Sequence, residues 1–485
     1  MICKTIYFII LFLSITLSAS AQTVITPDEV KQTGLYTVEI TTNNGEEPQA
    51  AVIESPWKPD TYNMTYINKV PCQIVISING STLYDSGSYE KETSGATIRI
   101  NGNTTAFYSD PLNMPYKLKL EKAADLLCRK DGNDYSDKHW RLLKDAVSMN
   151  TMVGLKLSQL IGMEWTSAYI PCNVIINGDY RGCYLLMETV KRNNRCRITC
   201  DKHKGCIIER DPYWWKETLY FSSSRYDGES MYRWTWKYPD EDELDEDRQQ
   251  YVQQYINALE QSLYSGNYSN YIDIPSWTKW ILAHDLLGTR DSGGANMYLK
   301  KQDDTTDSRM EMPCLWDFDS NYDVTPGNFS RLHLSTNSYF STLFNSVNTS
   351  FAKEYIELWN GTKDNLVHQL TQFINDYITS DEAISLNASR ILHNKRWNTT
   401  YGTVEDDARY TLRWLNNHIT PLDQNIQNMA DMLSGIKTEE YNSNDAHHNL
   451  FYSLSGYKIN NSIKQGVVIQ NNTHSQHVYK YIINQ

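Results

Sequence analysis

Thr289-Arg290-Asp291-Ser292-Gly293-Gly294-Ala295-Asn296 is a polar stretch that is followed, after an apolar segment, by Trp316-Asp317-Phe318-Asp319. Asp291 and Asn296 are separated by four residues. The apolar segment predicts a hairpin over residues 297–301 and 310–316, which returns the chain from Asn296 to Asp317. Carboxylate and amide oxygens are the ligands that a hard cation such as Mg²⁺ prefers. The spacing therefore predicts that two acids and an amide share one site.

The order acid, amide, acid is also the order in which kinases arrange the groups that transfer a phosphoryl group. In that chemistry an acid at the position of Asp291 accepts the proton of the attacking hydroxyl. The amide at Asn296 binds a metal, and the last acid holds Mg²⁺ against the ATP phosphates. A polar turn followed by an acid that caps a strand is the alternative interpretation, because Asp and Asn are common in turns. Features elsewhere in the chain must decide between the two.

Composition limits the classes of function. The chain has 485 residues, enough for two or three domains, and a formal net charge of −13. No block of Lys or Arg forms a basic stripe, so nucleic acid is not an expected partner. Serine-hydrolase and zinc-protease motifs do not occur. Glycoside hydrolysis by Asp317 and Asp319 is a minor alternative, since residues two apart share one face of a strand.

The N-terminus has the pattern of a secretory signal peptide over residues 1–21. Lys4 supplies the positive charge, Ile6 to Leu17 the apolar segment, and Ala19-Ser20-Ala21 the cleavage site. A membrane anchor is the alternative, but the apolar run is short for a span. The mature chain has no other stretch suited to crossing a bilayer. We therefore expect an exported protein that is secreted, periplasmic or on the cell surface.

Eight cysteines remain once Cys3 leaves with the signal peptide. An even number in an exported chain favours disulfides, with free thiols as the next interpretation. The spacing of Cys196, Cys200, His203 and Cys206 is also compatible with a zinc site.

Local patterns divide the mature chain into three parts. Residues 22–190 alternate in the manner of strands, apart from a helix expected at about Asp137 to Ile161. Residues 191–435 begin with an aromatic stretch over 206–237, which either packs a sheet or exposes a binding patch, and continue as helices. Residues 446–485 form a small β-rich segment of different composition. Strands followed by helices, with the acids at their junction, predict an α+β fold with the two lobes of a kinase.

Five motifs, in the same order, give the chain a resemblance to the CotH kinase family, an atypical branch of the kinase-like fold that is named for spore-coat protein H. The resemblance covers about Leu35 to Leu433. Its motifs are Arg99-Ile100-Asn101-Gly102-Asn103-Thr104, Pro115-Tyr116-Lys117-Leu118-Lys119-Leu120, the segment from Asn177 to Glu188, Asp291 to Tyr298, and Leu315-Trp316-Asp317-Phe318-Asp319. The tail, through Tyr452 to Gly456 and Gly466 to Ile469, resembles the sorting tails of type IX secretion.

The resemblance implies a bilobed atypical protein-kinase-like fold, with a β-rich N-lobe and a mainly helical C-lobe. It implies ATP with Mg²⁺ or Mn²⁺ as cofactors, and exported or cell-surface proteins as substrates. The implied catalytic acid is Asp291. The implied metal ligands are Asn296 with Asp317 or Asp319, and the implied nucleotide-binding residues are Gly102, Lys117 or Lys119, and Glu188 at the interlobe hinge.

Two departures from the family pattern remove positive charge near the expected phosphates. Asn101 stands where the family often has a second Arg, and an Arg expected early in a helix is replaced near Val153-Gly154. Each lost charged contact weakens binding by about 1.5–3 kcal/mol. Two hypotheses follow: a secreted protein kinase that phosphorylates Ser or Thr, its own included, and a catalytically weak surface adhesin or coat-type scaffold.

Overall fold

The computed structural model describes residues 23–130, 132–224, 232–293, 295–323, 339–344 and 349–434, together with four strands between residues 449 and 483. The signal peptide predicted over residues 1–21 lies outside the described residues. Within the described part, no helix is both long and apolar enough to cross a bilayer.

The N-terminal part is built mainly from strands. Its two short helices are α1 (Pro27–Lys31) and α2 (Thr104–Phe107). Its strands are β1 (Tyr36–Thr42), β2 (Ala50–Glu54), β3 (Tyr62–Tyr66), β4 (Val70–Ile78), β5 (Ser81–Asp85), β6 (Ala96–Ile100), β7 (Tyr116–Ala124), β8 (Asp137–Leu143), β9 (Tyr169–Ile176) and β10 (Asp179–Glu188).

Seven of these strands close into a barrel. β1 pairs in parallel with β9 and antiparallel with β4. The order β1-β9-β10-β8-β7-β6-β4 therefore returns to β1, while β5 extends the sheet beyond β4. Alternate residues of each strand fill the interior, as the period of two requires. The interior residues include Val38, Ile40, Ile74, Ile76, Ile98, Leu118, Trp140, Leu142, Val174 and Leu186.

The closed barrel shows that the prediction of a bilobed kinase-like fold was wrong, although the chain is α+β overall. The alternation of apolar residues identified the strands, but it does not say which strands lie at the edges of a sheet. The pairing of Tyr36 with Cys172 joins residues far apart in the sequence and closes the sheet. No local pattern announces such a contact.

The following part of the chain combines a second sheet with helices. The sheet has the order β12-β13-β11-β14-β15 and is formed by β11 (Cys206–Asp211), β12 (Tyr220–Phe221), β13 (Arg233–Tyr238), β14 (Met297–Lys301) and β15 (Met310–Glu311). The helices are α3 (Asn150–Ile161), α4 (Glu246–Ser265), α5 (Ile274–Leu287), α6 (Thr349–Tyr377), α7 (Asp381–Trp397) and α8 (Val404–Ser434).

A second hydrophobic core lies among this sheet, the helices and the outer face of the barrel. Leu185 and Met187 of β10 belong to it, together with the buried Trp277 and Trp280 of α5. The same core takes in Trp234 and Trp236 of β13. The aromatic stretch 206–237 therefore packs a sheet in its described residues, and these rings do not form an exposed patch.

Two local expectations differ from the structure. The helix expected over 137–161 is a strand, β8, followed by a turn over Lys144–Val147 and then by α3. Leu and Arg occur often in both helices and strands, and pairing with β7 and β10 decides the outcome. The expected disulfides are absent from the part of the chain described, where the eight cysteines are free. Burial raises the pKa of the Cys206 thiol to about 12, so it behaves as a small apolar side chain.

The tail forms a separate small sheet. Its strands are β16 (Asn449–Tyr452), β17 (Lys458–Ile459), β18 (Gly466–Asn472) and β19 (His477–Ile483), in the order β17-β16-β18-β19. This geometry does not test the resemblance to a sorting tail, which stays a prediction.

Candidate functional site

The loop that carries Asp291 is hydrogen-bonded to the loop that follows Asp317. The Asp291 backbone N–H donates to the Ser320 hydroxyl at 3.1 Å. A second bond joins the residues next to these: the Thr289 hydroxyl, two residues before Asp291, donates to the side-chain oxygen of Asn321, which follows Ser320, at 2.8 Å. These bonds bring the two acidic segments of the motif together, as the sequence predicted.

Asn296 is positioned against the second acidic segment by the strand it precedes. β14 begins at the next residue, and its Tyr298 ring contacts Trp316 edge-on with centroids 6.5 Å apart. Since Trp316 immediately precedes Asp317, the two segments run side by side at this end of the sheet. The hairpin predicted between them is present as β14 and β15, although β15 covers only Met310–Glu311.

Three non-glycine residues of this region have left-handed backbone angles. Asn296 has φ 58°, Asp317 has φ 63° and Tyr322 has φ 67°. Asn and Asp tolerate this region better than other residues, whereas an aromatic residue there is a genuine outlier. Strained backbone of this kind concentrates at functional sites, where the surrounding structure holds it in place.

Phe318, between the two acids, anchors their loop to α3 and α5. Its ring stacks on His284 with centroids 6.4 Å apart. On the other side it lies so close to Gly154 that a Cβ at that position would be 2.2 Å from the ring. Gly154, which marked a departure from the family pattern, therefore makes room for Phe318.

Four carboxyl groups of the site repel one another. Burial, followed by the charges of Asp319 and Asp145, raises the pKa of Asp317 well above its usual range, and Arg141 partly opposes this shift. Burial, Asp145 and Asp291 raise the pKa of Asp319 to about 6, although part of its side chain reaches solvent. This acidic cluster, Asp145, Asp291, Asp317 and Asp319, has an excess of negative charge.

Arg141 of the barrel lies next to the acidic cluster, and two further cations lie beside Arg141 on the barrel. Arg99, Lys117 and Arg141 lie side by side on β6, β7 and β8. Arg141 stacks over the Trp316 ring at 5.2 Å. Burial, together with the charges of Arg141 and Arg99, lowers the pKa of Lys117 well below its usual range. We call these three side chains the cationic row.

Asn101 and Gly102 lie at the end of the cationic row. In the amide orientation that satisfies its neighbours, the Asn101 oxygen accepts from the Gly102 N–H at 3.0 Å and from Arg141 Nη1 at 3.3 Å. Gly102 has φ 93°, which favours glycine. The Gly102 carbonyl accepts from Lys216 Nζ at 3.4 Å, so this turn is held against the second sheet.

An ionic cluster centred on Lys237 borders the cationic row on the second sheet. Lys237 Nζ lies 2.9 Å from Glu209, 3.5 Å from Glu217 and 4.0 Å from Asp211. Burial and Glu209 raise the pKa of Asp211 to about 7, while Lys237 lowers the pKa of Glu217. We call these four side chains the Lys237 cluster.

The two candidate lysines differ in burial, and Glu188 lies in contacts that do not include the acidic cluster. Lys119 is exposed, whereas Lys117 is half-buried within the cationic row. Glu188 is buried at the end of β10, where its carboxylate accepts from Arg129 at 2.8 Å and from the Ala168 N–H at 3.1 Å. Glu188 therefore holds backbone and an arginine in place, and none of these contacts links it to the acidic cluster.

Sequence reasoning missed Asp145 and Arg141. Asp145 lies in the turn before α3, where it accepts a hydrogen bond from Thr151 and contributes to the pKa shifts of Asp317 and Asp319. The segment had been assigned to one helix, which concealed both residues. Arg141 follows Lys117 in register on the adjacent strand, so a correct strand assignment would have revealed it.

The arrangement of possible metal-binding side chains bears on the metal sites that the sequence predicts. In the described residues no three His, Cys, Asp or Glu side chains stand close enough together to hold an ion, either at the acidic cluster or around Cys196, Cys200, His203 and Cys206. The oxygens of Asp317, Asp319 and Asn296 are nevertheless of the type that suits Mg²⁺. A cation would also offset the repulsion that raises the pKa of both acids.

These features define an α+β protein in which Arg141 of a closed barrel lies beside a pair of acid-rich loops. The family model described as CotH kinase protein matches residues 117–419. The match spans more than half of the chain, and the chain belongs to this family. No curated protein matches the chain.

Proposed function

We propose that the chain is a metal-dependent protein kinase that transfers the γ-phosphate of ATP to Ser or Thr hydroxyls of exported or cell-surface proteins, with itself as one candidate acceptor. The observation that carries the proposal is the hydrogen-bonded pair of loops bearing Asp291 and Asp317, which lies next to Arg141 of the cationic row. Membership of the CotH kinase protein family supports it.

Asp291 is the candidate for orienting the acceptor hydroxyl and accepting its proton. Its carboxyl is exposed, so a protein substrate can reach it. Arg290 Nε lies 3.3 Å from this carboxyl and also bridges to Asp323 at 3.2 Å. This contact orients the carboxyl, as the proposed role of accepting a proton requires.

Asn296, Asp317 and Asp319 are the candidates for holding Mg²⁺ or Mn²⁺. When bound, such an ion supplies positive charge that stabilises the phosphates during transfer. The left-handed backbone at Asn296 and Asp317 fixes where their side chains begin. Of the two acids, Asp317 is the more enclosed, which favours it as the principal ligand.

Lys117 and Arg141 are the candidates for binding the phosphates. Both belong to the cationic row, and Lys117 is preferred over the exposed Lys119. Arg141 also supplies a guanidinium next to Asn101, where the family often has an Arg. The positive charge that the sequence comparison counted as lost is thus partly provided from β8.

Export rests on the sequence pattern of residues 1–21 and on the tail. We propose secretion, with the periplasm or the cell surface as the site of action. Detection of the protein outside the cytoplasm, with a mature N-terminus at Gln22, tests this part separately from catalysis.

Incubation of the mature chain with labelled ATP and Mg²⁺ or Mn²⁺ tests the activity. We expect incorporation of label that falls at least 100-fold in Asp291→Ala and in Asp317→Ala. Asp304→Ala, an exposed acid away from the loops, is the matched control and should incorporate label normally. Label that persists in both site variants would exclude the proposed chemistry.

A binding scaffold without turnover is the second candidate. The replacement of family arginines at Asn101 and near Val153-Gly154 favours it. The aromatic stretch gives it little support, since Trp214, Trp234 and Trp236 are buried. Thermal unfolding with Mg²⁺ and ATP separates the two candidates: no shift favours the scaffold, and a shift lost in Asp317→Ala favours the kinase.

A further inference from the structure

A cavity of about 650 Å³ lies away from the acidic cluster. One wall is the segment after α2, the second is the turn that follows β8, and the third is the C-terminal end of α7 with the loop beyond it. The residues that line these walls include Tyr108, Asp110, Lys144, Lys395, Trp397 and Tyr401. The volume lies within the range of small-molecule sites.

The turn after β8 separates this cavity from the acidic cluster. Lys144 points to the cavity side, where its Nζ donates to the Ser109 hydroxyl at 2.7 Å. The next residue, Asp145, points the other way and accepts a hydrogen bond from Thr151 of α3. None of the four acids of the acidic cluster is among the cavity's lining residues.

The lining is positive although the whole chain carries a net charge of −13. Lys144, Lys395 and Arg396 are opposed within the lining by Asp110 alone. Arg396 is neutralised by Asp179, whose two oxygens lie 3.0 and 3.1 Å away. Lys395 lies 3.6 Å from Glu29.

Lys144 is different from these two cations. Its side chain is half-buried, and among the described residues it makes no ion pair, although the nearby Asp110 carboxylate partly offsets the effect of burial on its pKa. Lys395 and Arg396 also offset the negative end of the α7 dipole, which accounts for them without a ligand. Lys144 belongs to the opposite wall and is not part of this helix, so the helix dipole does not account for its position.

Two further features suit a ligand of mixed character. His393 accepts the Cys183 N–H at 3.1 Å, and burial lowers its pKa to about 4, so it adds no charge at neutral pH. Tyr108 and Tyr401 are 80% and 44% exposed, which leaves their rings available to pack on the remainder of a ligand.

We propose that this cavity binds a small phosphate-bearing molecule, with the phosphate paired to the Lys144 ammonium. The ligand class follows from a half-buried ammonium group in an open polar cavity whose lining is positive overall and is flanked by exposed tyrosine rings. The site is independent of the proposed kinase chemistry, because it uses none of the residues assigned to that chemistry.

Calorimetric titration of the full chain with inorganic phosphate tests the proposal. We expect saturable binding that is weakened at least tenfold in Lys144→Met and largely restored in Lys144→Arg, which keeps the charge. Lys138→Met, an exposed lysine on β8, is the matched control and should bind phosphate normally. Circular dichroism of each variant confirms that it is folded.

A second measurement uses sulfate, whose charge does not change with pH. Burial lowers the pKa of Lys144 to about 8, so sulfate affinity should fall as pH rises through that value and should stay constant in Lys144→Arg. Phosphate affinity that is unchanged in Lys144→Met would overturn the proposal. Loss of affinity in Lys117→Met instead would place the anion on the cationic row, with the same consequence.

Discussion

The Lys237 cluster and the acidic cluster are both rich in carboxyl groups, but only the first is built around a central lysine. In the first, Lys237 bridges three carboxylates within 4.0 Å. In the second, burial and neighbouring acids raise the pKa of Asp317 and of Asp319, and Arg141 opposes the shift of Asp317. The first cluster has a central cation of its own, whereas in the described residues neither Asp317 nor Asp319 of the second makes an ion pair.

The comparison separates a structural role from a functional one. Buried charges that are fully paired hold elements together, whereas shifted, unbalanced carboxyl groups in an accessible site are typical of binding or catalysis. Removal of the central lysine from the Lys237 cluster should therefore affect stability. Changes that reduce the repulsion among the carboxyl groups of the acidic cluster should affect ion binding.

Lys237→Met should have the largest effect on stability. It leaves Glu209, Asp211 and Glu217 without their shared cation, and we expect a loss of about 3 kcal/mol in the free energy of unfolding. Denaturant unfolding at pH 7 measures it. Lys204→Met, which removes an exposed ion pair to Asp304, should leave the unfolding midpoint unchanged. Equal effects in both variants would contradict the distinction between the two clusters.

Gly154→Ala should disturb the acidic cluster through packing. The new Cβ would overlap the Phe318 ring, and the resulting shift should lower stability by about 2 kcal/mol and reduce phosphoryl transfer. Gly361→Ala is the matched control, because Gly361 also lies within a helix and has open space at its Cβ. That control should be neutral or slightly stabilising. A neutral Gly154→Ala would show that Phe318 does not fix the loop.

Lys117→Met should weaken nucleotide binding about tenfold, which corresponds to about 1.4 kcal/mol. Lys119→Met should leave it unchanged, because that side chain is exposed outside the cationic row. Fluorescent-nucleotide titration in the presence of Mg²⁺ compares the two variants. The reverse order of effects would assign the phosphate contact to Lys119.

Asp319→Asn should have the smallest effect, and one that depends on pH. The pKa of Asp319 is about 6 in the folded chain and about 4 in the unfolded one, so the folded state holds its proton more tightly. Its contribution to stability is therefore present at pH 4 and is lost as pH rises toward 6 and above.

We thus expect Asp319→Asn to stabilise the metal-free chain at pH 7 by less than about 1 kcal/mol, since its carboxyl reaches solvent, and to have no such effect at pH 4. Added Mg²⁺ should remove the advantage of the variant at pH 7. Thermal unfolding at both pH values gives the answer. A variant that is stabilised equally at pH 4 and pH 7 would exclude this titration as the cause.

The sequence was most informative where residues close together in the chain form the candidate site. The meeting of Asp291 with the Asp317 loop was predictable, because the short hairpin between them leaves few alternatives. The strands were predictable as well, from their alternation. The closed barrel was not, since it depends on the pairing of β1 with β9, and a local pattern carries no information about such distant partners.

The second wrong prediction concerned a segment whose residues favour helix and strand about equally. β8 and the turn after it were assigned to a helix, and Arg141 and Asp145 were overlooked in consequence. Whether Asp145 contributes to the site depends on the turn between β8 and α3. That turn is fixed by tertiary contacts such as the Arg390 hydrogen bond to the Ala146 carbonyl at 2.9 Å. Helix and strand propensities were too weak to show it.

Closure of the barrel has a consequence for how the chain can be divided. The family match begins at residue 117, within β7, yet β1, β4 and β6 of the barrel lie upstream of it. A fragment beginning there would keep β7 to β10 and expose unpaired backbone along β7 and β9. Raw edges of that kind recruit other chains, so such a fragment should aggregate where the longer chain stays dispersed.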